Sequence, residues 1–218
     1  MTTVTVRPAT ATDAGPLIAV LAEAFHHGPV ADWLVPDPDG RRSVYYRYFA
    51  DAFDHALTHG KVYTTSDQSA AAIWYPRLHP TPARPRTRDK QLEAIAGIHA
   101  ERFMLLEQIL AAYHPAEAHH YLAYIAVDPA RQNHGIGAAL LTDHHRHLDH
   151  LALPAYLEAT NPRNRQLYLR RGYTTGPTLT LPAGGPTIWR MWRGTTTPTG
   201  SRTAFPPART GRTSRRSL

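Results

Sequence analysis

The sequence predicts an α/β (α+β) chain, and three observations carry that prediction. Its 218 residues are 42% hydrophobic and 19% charged, enough to bury a full core in one domain or at most two. Nineteen prolines and fourteen glycines make it loop-rich, without the period or the excess of collagen-like or low-complexity chains. Strand-like and helix-like runs of apolar residues follow one another along the chain, with no internal repeat.

Taken in order, Val4 and Val6 alternate with threonines in a short strand. Leu17, Val20, Leu21, Ala24 and Phe25 then share one face of a helix that should stop near His26-His27-Gly28-Pro29. Prolines and Trp33 fill the stretch up to Gly40, which reads as a loop. A second helix over about 41–57 presents Tyr45, Tyr48, Phe49, Ala52 and Phe53, and Gly60 closes it. Residues 61–65 and 70–75 form a hairpin around Ser66-Asp67-Gln68. The stretch 76–88 holds four prolines and four arginines and reads as irregular. Leu92, Ile95, Ile98, Phe103, Leu106 and Ile109 place one bent helix, or two, in 89–113. Residues 120–127 are the most strand-like run. After the turn Asp128-Pro129, Gly135-Ile136-Gly137 opens a helix to about Leu151. A strand at 156–160, a short helix at 163–171 stopped by Gly172, and strands at 173–174 and 188–192 complete the chain.

The net charge of +7 is unevenly placed. Residues 194–218 carry Arg202, Arg209, Arg212, Arg215 and Arg216 and no acidic residue, which leaves only +2 on 1–193. That tail is mostly Thr, Pro, Gly and Arg with one aromatic, too poor in apolar side chains to offset the entropy of ordering it. It is expected to be a disordered basic tail behind a single domain spanning 1–193. The near-neutral folded part argues against nucleic acid as a partner. The chain has no cysteine, which excludes disulfides, thiolate metal sites and a thioester intermediate on the enzyme. It has no apolar run of about 18 residues and no signal-like start. A soluble, cytoplasmic protein with no membrane partner is expected, as a monomer or homodimer.

The chemistry concentrates after the 120–127 strand. Gln132-Asn133-His134-Gly135-Ile136-Gly137-Ala138 places a glycine turn between a strand and a helix, where successive backbone N–H groups meet the positive end of the helix dipole. A pyrophosphate is the ligand such a turn suits. It is not a P-loop, which needs Gly-Lys-Ser/Thr, nor the dinucleotide fingerprint, because Leu140 stands at the third glycine position. Taken alone, the turn reads more readily as an ordinary strand-to-helix connection. A second motif follows: Asn161, with Tyr168 seven residues on, inside Leu167-Tyr168-Leu169-Arg170-Arg171-Gly172-Tyr173.

Gln132-x-x-Gly135-x-Gly137 resembles the acetyl-CoA motif of the GCN5-related N-acetyltransferases (GNAT), and Asn161 through Tyr173 resembles the later motif of that family. Within it the sequence is most similar to the puromycin N-acetyltransferase group of actinomycetes. VRPATATD, PVADWLVPDPD, GKVYTT with AAAIWYP, YLAYIAVDP and PAYLEATNPRNRQLYLRRGY carry the likeness over most of 4–193. The resemblance implies a central mixed, mostly antiparallel twisted sheet flanked by helices, and acetyl-CoA as cosubstrate. It implies that backbone groups of Ile125, Ala126 and Val127 pair with the pantetheine arm like an added strand. Gln132, Asn133, His134, Gly135, Ile136, Gly137 and Ala138 would hold the pyrophosphate, Asn161 would touch the arm, and Tyr168 would lie near the sulfur.

In this reading Tyr168 is the general acid for the departing thiolate, and Glu158 is the carboxylate that takes the amine proton. The competing readings are a packing role for Tyr168 and a structural ion pair for Glu158. The resemblance favours a primary amine of a small molecule as acceptor, such as an aminoacyl or nucleoside-like antibiotic. A protein or peptide acceptor and a non-catalytic acetyl-CoA sensor are the alternatives. His120 and Tyr121 read equally as acceptor lining or sheet surface. His144, His145, His147 and His150 read as a solvated helix face, so no metal is expected.

Overall fold

The computed structural model of the protein describes residues 4–79, 85–195 and 202–206. The strand-like runs become β1 (Val6–Pro8), β2 (Lys61–Thr65), β3 (Ala70–Arg77), β4 (His119–Val127), β5 (Ala155–Ala159), β6 (Thr174–Thr180) and β7 (Thr187–Arg193). They join in one sheet in the order β1-β2-β3-β4-β5-β7-β6, antiparallel throughout except between β4 and β5. The helices are α1 (Ala14–Ala24), α2 (Pro29–Leu34), α3 (Pro38–His59), α4 (Thr87–Ala96), α5 (Ala100–Ala112), α6 (Ile136–His150) and α7 (Pro162–Arg170). The first five pack on one face, around Leu17, Phe49, Phe53, Leu92 and Phe103, which we call the front. On the back, α6 and α7 cover Trp74, Leu140, Leu141, Leu148 and Met191. None of the described helices is long and apolar enough to cross a membrane.

The prolines explain where the observed elements depart from the sequence expectation. The expected loop before Gly40 holds α2 and the start of α3, because Pro29 and Pro38 each sit at the first helical position. There the missing N–H is no loss and the fixed φ favours the helix. Similarly, β3 continues through Pro76 to Arg77, since β2 stops pairing at Trp74 and Pro76 has a neighbour only on the β4 side. Gly97, at φ 54°, ends α4, and the segment 89–113 is two helices.

Two histidines of α6 overturn the expectation of a solvated face. His147 and His150 are exposed, but His144 and His145 are 1% and 5% exposed. Helical spacing is the reason, since Leu140, His144 and Leu148 form one row and Leu141 and His145 another, all on the buried stripe. The His144 ring stacks on Trp74 at 4.1 Å, and its Nε2 lies 3.1 Å from Nδ1 of His120. Nε2 of His145 lies 3.0 Å from the Tyr173 hydroxyl. Burial, above all, pushes His144 down to about 2, His145 to about 3 and His120 to about 4, so all three stay neutral.

Residues 202–206 fall within the segment expected to be disordered, and they dock. Arg202 pairs with Asp149 at 3.3 Å and donates to the Gly194 carbonyl at 2.8 Å. Phe205, the tail's one aromatic, covers Gly176 so closely that a Cβ there would meet the ring at 2.5 Å. The same ring lies 6.2 Å from Trp192 and 6.3 Å from Tyr156. Residues 196–201 and 207–218 lie outside the described residues.

Candidate active site

The parallel pair in the sheet is also its weak seam. β4 and β5 pair only through His120 with Ala155 and Tyr121 with Tyr156. Beyond those positions β4 continues to Val127 and β5 to Ala159 with no registered partner across the gap. The facing edges, which include Ile125, Ala126 and Val127, therefore leave backbone groups available to an extended ligand. β4 also carries a bulge: Ile73 pairs with Tyr124 and Trp74 with Leu122, which leaves Ala123 without a partner on β3. Ala123 and Tyr124 consequently both turn to the front face with Tyr121, while Leu122, Ile125 and Val127 turn to the back.

Below the seam, Gly135 takes the left-handed conformation, φ 79°, as the N-cap of α6. Glycine offers no capping side chain, and the first helical bond runs from Ala139 N–H to the Gly135 carbonyl. The N–H groups of Ile136, Gly137 and Ala138 are left open at the positive end of a 15-residue helix. Gly137 lies close to Val127 and Leu167, where an added Cβ would come within 3.7 and 3.8 Å of their side chains. Other motif residues shape the turn. Gln132 Nε2 donates to the Val127 carbonyl at 3.2 Å, His134 Nδ1 lies 2.8 Å from the Gln132 carbonyl, and Asn133, at φ 68°, holds Arg163 through its Oδ1. Asn161 is the N-cap of α7, its Oδ1 accepting from Asn164 N–H at 2.8 Å. That occupies its oxygen and leaves its amide N–H groups for any other contact.

The two candidate catalytic groups lie on opposite faces of the seam. Ala155, Leu157 and Ala159 turn to the back, so strand alternation turns Tyr156 and Glu158 to the front. Oε1 of Glu158 and the Tyr156 hydroxyl are buried without a hydrogen-bond partner among the described residues. Burial pushes the Glu158 carboxyl up to about 7, against the opposing pull of the Tyr156 and Tyr121 hydroxyls and of Arg190. Arg190 stands opposite Glu158 in the β5–β7 register, yet it does not pair with it. It donates instead to the carbonyls of Pro177 and Tyr113, both at 3.0 Å, with its guanidinium over the rings of Tyr113 and Phe205. The structural ion pair that was the competing reading of Glu158 is absent among the described residues.

Aromatic groups line the front of the seam. The Tyr121 and Tyr156 rings lie 5.9 Å apart, and the Tyr124 hydroxyl is 2.9 Å from that of Tyr48. His114 lies against Tyr121 and Tyr156 at 4.8 and 5.1 Å. Its Nε2 is 3.0 Å from Nε2 of His119, whose Nδ1 is 2.6 Å from the Glu117 carbonyl. A carbonyl accepts, so His119 carries its proton on Nδ1 and His114 donates from Nε2. Sequence reasoning passed over Tyr156 and His114. Tyr156 was within reach, since a strand period of two puts it on the face of Glu158. His114 was not, because only the α5–β4 connection brings it there.

Behind the seam, Tyr168 is 5% exposed, among Leu157, Ala159, Ile125, Val127 and Leu167. Burial in this apolar setting raises its phenol well above the ordinary value, and the group keeps its proton.

Residues 99–175, which hold the seam, the glycine turn and Tyr168, match the acetyltransferase (GNAT) domain model. Among solved structures, the histone acetyltransferase HPA2 and related acetyltransferase from Corynebacterium glutamicum is 27% identical, with a TM-score of 0.70 over 91% of this chain and 99% of that one. Arylalkylamine N-acetyltransferase 2 from Aedes aegypti shares the fold at 10% identity, with a TM-score of 0.60 over 88% of this chain and 98% of that one. The C-terminal condensation domain of Ebony, solved with beta-alanyl-dopamine, does so at 13% identity, with a TM-score of 0.59 over 88% of this chain and 99% of that one. A split sheet above an open helix N-terminus, within a segment similar to the acetyltransferase (GNAT) domain, marks the protein as an acyl-CoA-dependent acetyltransferase.

Proposed function

We propose that the protein moves the acetyl group of acetyl-CoA to a primary amine of a small molecule, in a ternary complex without an acyl-enzyme. The residues present suit this cosubstrate. The open N–H groups of Ile136, Gly137 and Ala138 match a pyrophosphate, and the unpaired edges of β4 and β5 match the amide groups of a pantetheine arm. Asn161 offers its remaining amide N–H groups to that arm. We take residues 1–193 as one catalytic unit.

Acetyl-CoA supplies the thioester carbon to which the amine nitrogen bonds and the sulfur that leaves. Glu158 takes the proton of the incoming ammonium on the front face, a β4 N–H along the seam donates to the oxyanion, and Tyr168 donates to the sulfur from the back. The observation that carries this reading is the Glu158 carboxylate. Its Oε1 is buried and unpartnered, and the carboxyl is raised to about 7, with no cation among the described residues paired to it. An amine delivered there supplies the missing donor. The phenol-lined front wall favours an acceptor with an aromatic or nucleoside-like body, in line with the likeness to the puromycin N-acetyltransferase group.

Release of free thiol from acetyl-CoA, measured against puromycin, arylalkylamines, aminoglycosides, polyamines, amino acids and short peptides, tests this. Turnover confined to small aromatic amines is the expected result. Turnover confined to peptides makes the protein a peptide acetyltransferase, and cofactor binding without any turnover makes it a sensor.

A further inference from the structure

The C-terminal half of α6 borders a cavity of about 340 Å³ that the acetyl-transfer reading does not use. Its walls include Arg146, Arg170, Arg171, Arg193 and Arg202 around a single carboxylate, Asp149. Asp149 binds Arg193 at 2.6 Å and Arg202 at 3.3 Å, and Arg146 has Asp143 at 2.7 Å. Arg170 and Arg171 have no acidic partner among the described residues. The negative ends of α6 and α7 point here and offset part of the charge.

One group is left unmatched. Arg193 is 4% exposed, and its Nε and Nη1 have no hydrogen-bond partner among the described residues. A buried guanidinium with two idle nitrogens, three N–H donors in all, is a costly arrangement unless an acceptor arrives. Gly172, at φ 84°, keeps its side free of a Cβ that would come within 3.9 Å of Arg193 Nε and 3.4 Å of Arg202 Nε. His145, in the same wall, is held neutral by burial and then by Arg193, as a site of positive potential requires. Asp149 lies fourteen residues along α6 from the Gly135 cap, roughly 20 Å, so the cavity is separate from the glycine turn.

We propose that this cavity binds a small tetrahedral oxyanion, a phosphate or phosphomonoester dianion, with Arg193, Arg171 and Arg202 as its donors. A fork of guanidinium N–H groups matches the oxygens of such an anion, and several arginines engage it at once. The docked residue Arg202 closes one wall, so occupancy also holds the 202–206 segment in place.

The test is calorimetric titration of inorganic phosphate, and in parallel of glycerol phosphate, into the full chain in a low-chloride buffer at pH 7.5. The expected result is saturable binding, weakened about tenfold or more in Arg171→Gln and in Arg202→Gln, each losing one charge-assisted bond. Arg42→Gln, at an exposed α3 arginine paired with Glu23 of α1, should leave binding unchanged. Melting curves establish that each variant folds, and the exposed Arg171 keeps the test intact if Arg202→Gln does not. Absence of saturable binding by the parent chain, or equal binding by the Arg171→Gln variant, overturns the proposal. So does capture of an oligonucleotide or acidic peptide in place of the small anions.

Discussion

The two faces of the β4–β5 seam are built on opposite terms. The front leaves polar atoms idle: Oε1 of Glu158 and the Tyr156 hydroxyl are buried without a hydrogen-bond partner among the described residues. Behind the seam, Tyr168 sits in an apolar cluster, and the histidines find partners in His120, Trp74 and Tyr173. Uncompensated buried polarity is rare in a folded protein; behind the seam neutral ring nitrogens such as His144 Nδ1 and Trp74 Nε1 are unpaired, whereas an unpaired carboxylate oxygen beside the split marks where a ligand completes the structure. The back face, fully packed, gives the phenol a fixed position.

This contrast breaks most visibly in turnover. Removing the front carboxylate in Glu158→Gln should lower kcat/KM by about 10²–10⁴, the range for a lost general base. The parent rate should fall as pH drops through about 7, and that limb should be missing from the variant. A variant with the parent's rate and pH profile would take the base away from Glu158. On the back, Tyr168→Phe removes one hydroxyl from a packed site without changing its volume. A loss of about 10² in kcat with the acetyl-CoA Kd unchanged is expected, measured by thiol release and by titration. Full turnover would leave Tyr168 as a packing residue.

The glycine turn and the elements of the back face were the more legible regions, apart from the burial of His144 and His145, which the sequence reading placed in solvent. Periodicity and glycine placement reported the strand, the turn and α6 because those are local consequences of φ/ψ and side-chain spacing. The front was less legible. Its character comes from a bulge at Ala123, which turns Tyr124 beside Tyr121, and from Arg190 being drawn off to the Pro177 and Tyr113 carbonyls. Neither the bulge nor those partners leaves a mark in the sequence of β4 or β5. Proline misled in one direction throughout: read as a breaker, it served as the first residue of α2 and of α3.

The faces also differ in how their stability responds to pH. Glu158, raised to about 7 from an ordinary value of 4.5, keeps a proton in the folded state that the unfolded chain has released between those values. Stability therefore falls as pH rises through that window, and the buried charge weighs on the fold above it. Glutamine carries no such charge. Relative to the parent, Glu158→Gln should gain on the order of 2 kcal/mol between pH 4 and pH 8 in urea melts, after allowance for partial solvent access. An unchanged difference between the two pH values would mean that the carboxylate is not strained.

On the back the sign reverses. His144 is pushed down to about 2 from 6.5, so below pH 6.5 the unfolded chain takes a proton that the folded chain refuses. The stability is complete above 6.5 and is lost as pH falls, with a slope approaching about 1.4 kcal/mol per pH unit for a single such group. His120 and His145, lowered to about 4 and about 3, add to the same limb. In His144→Gln the fold should be weaker at pH 8, where the stack on Trp74 is lost, and its acid limb should be shallower by about one proton. Urea midpoints from pH 8 to pH 5 check this. If the variant's curve runs parallel to the parent's, His144 takes up its proton in the folded state as readily as in the unfolded chain. The back face would then have solvent access that its packing denies.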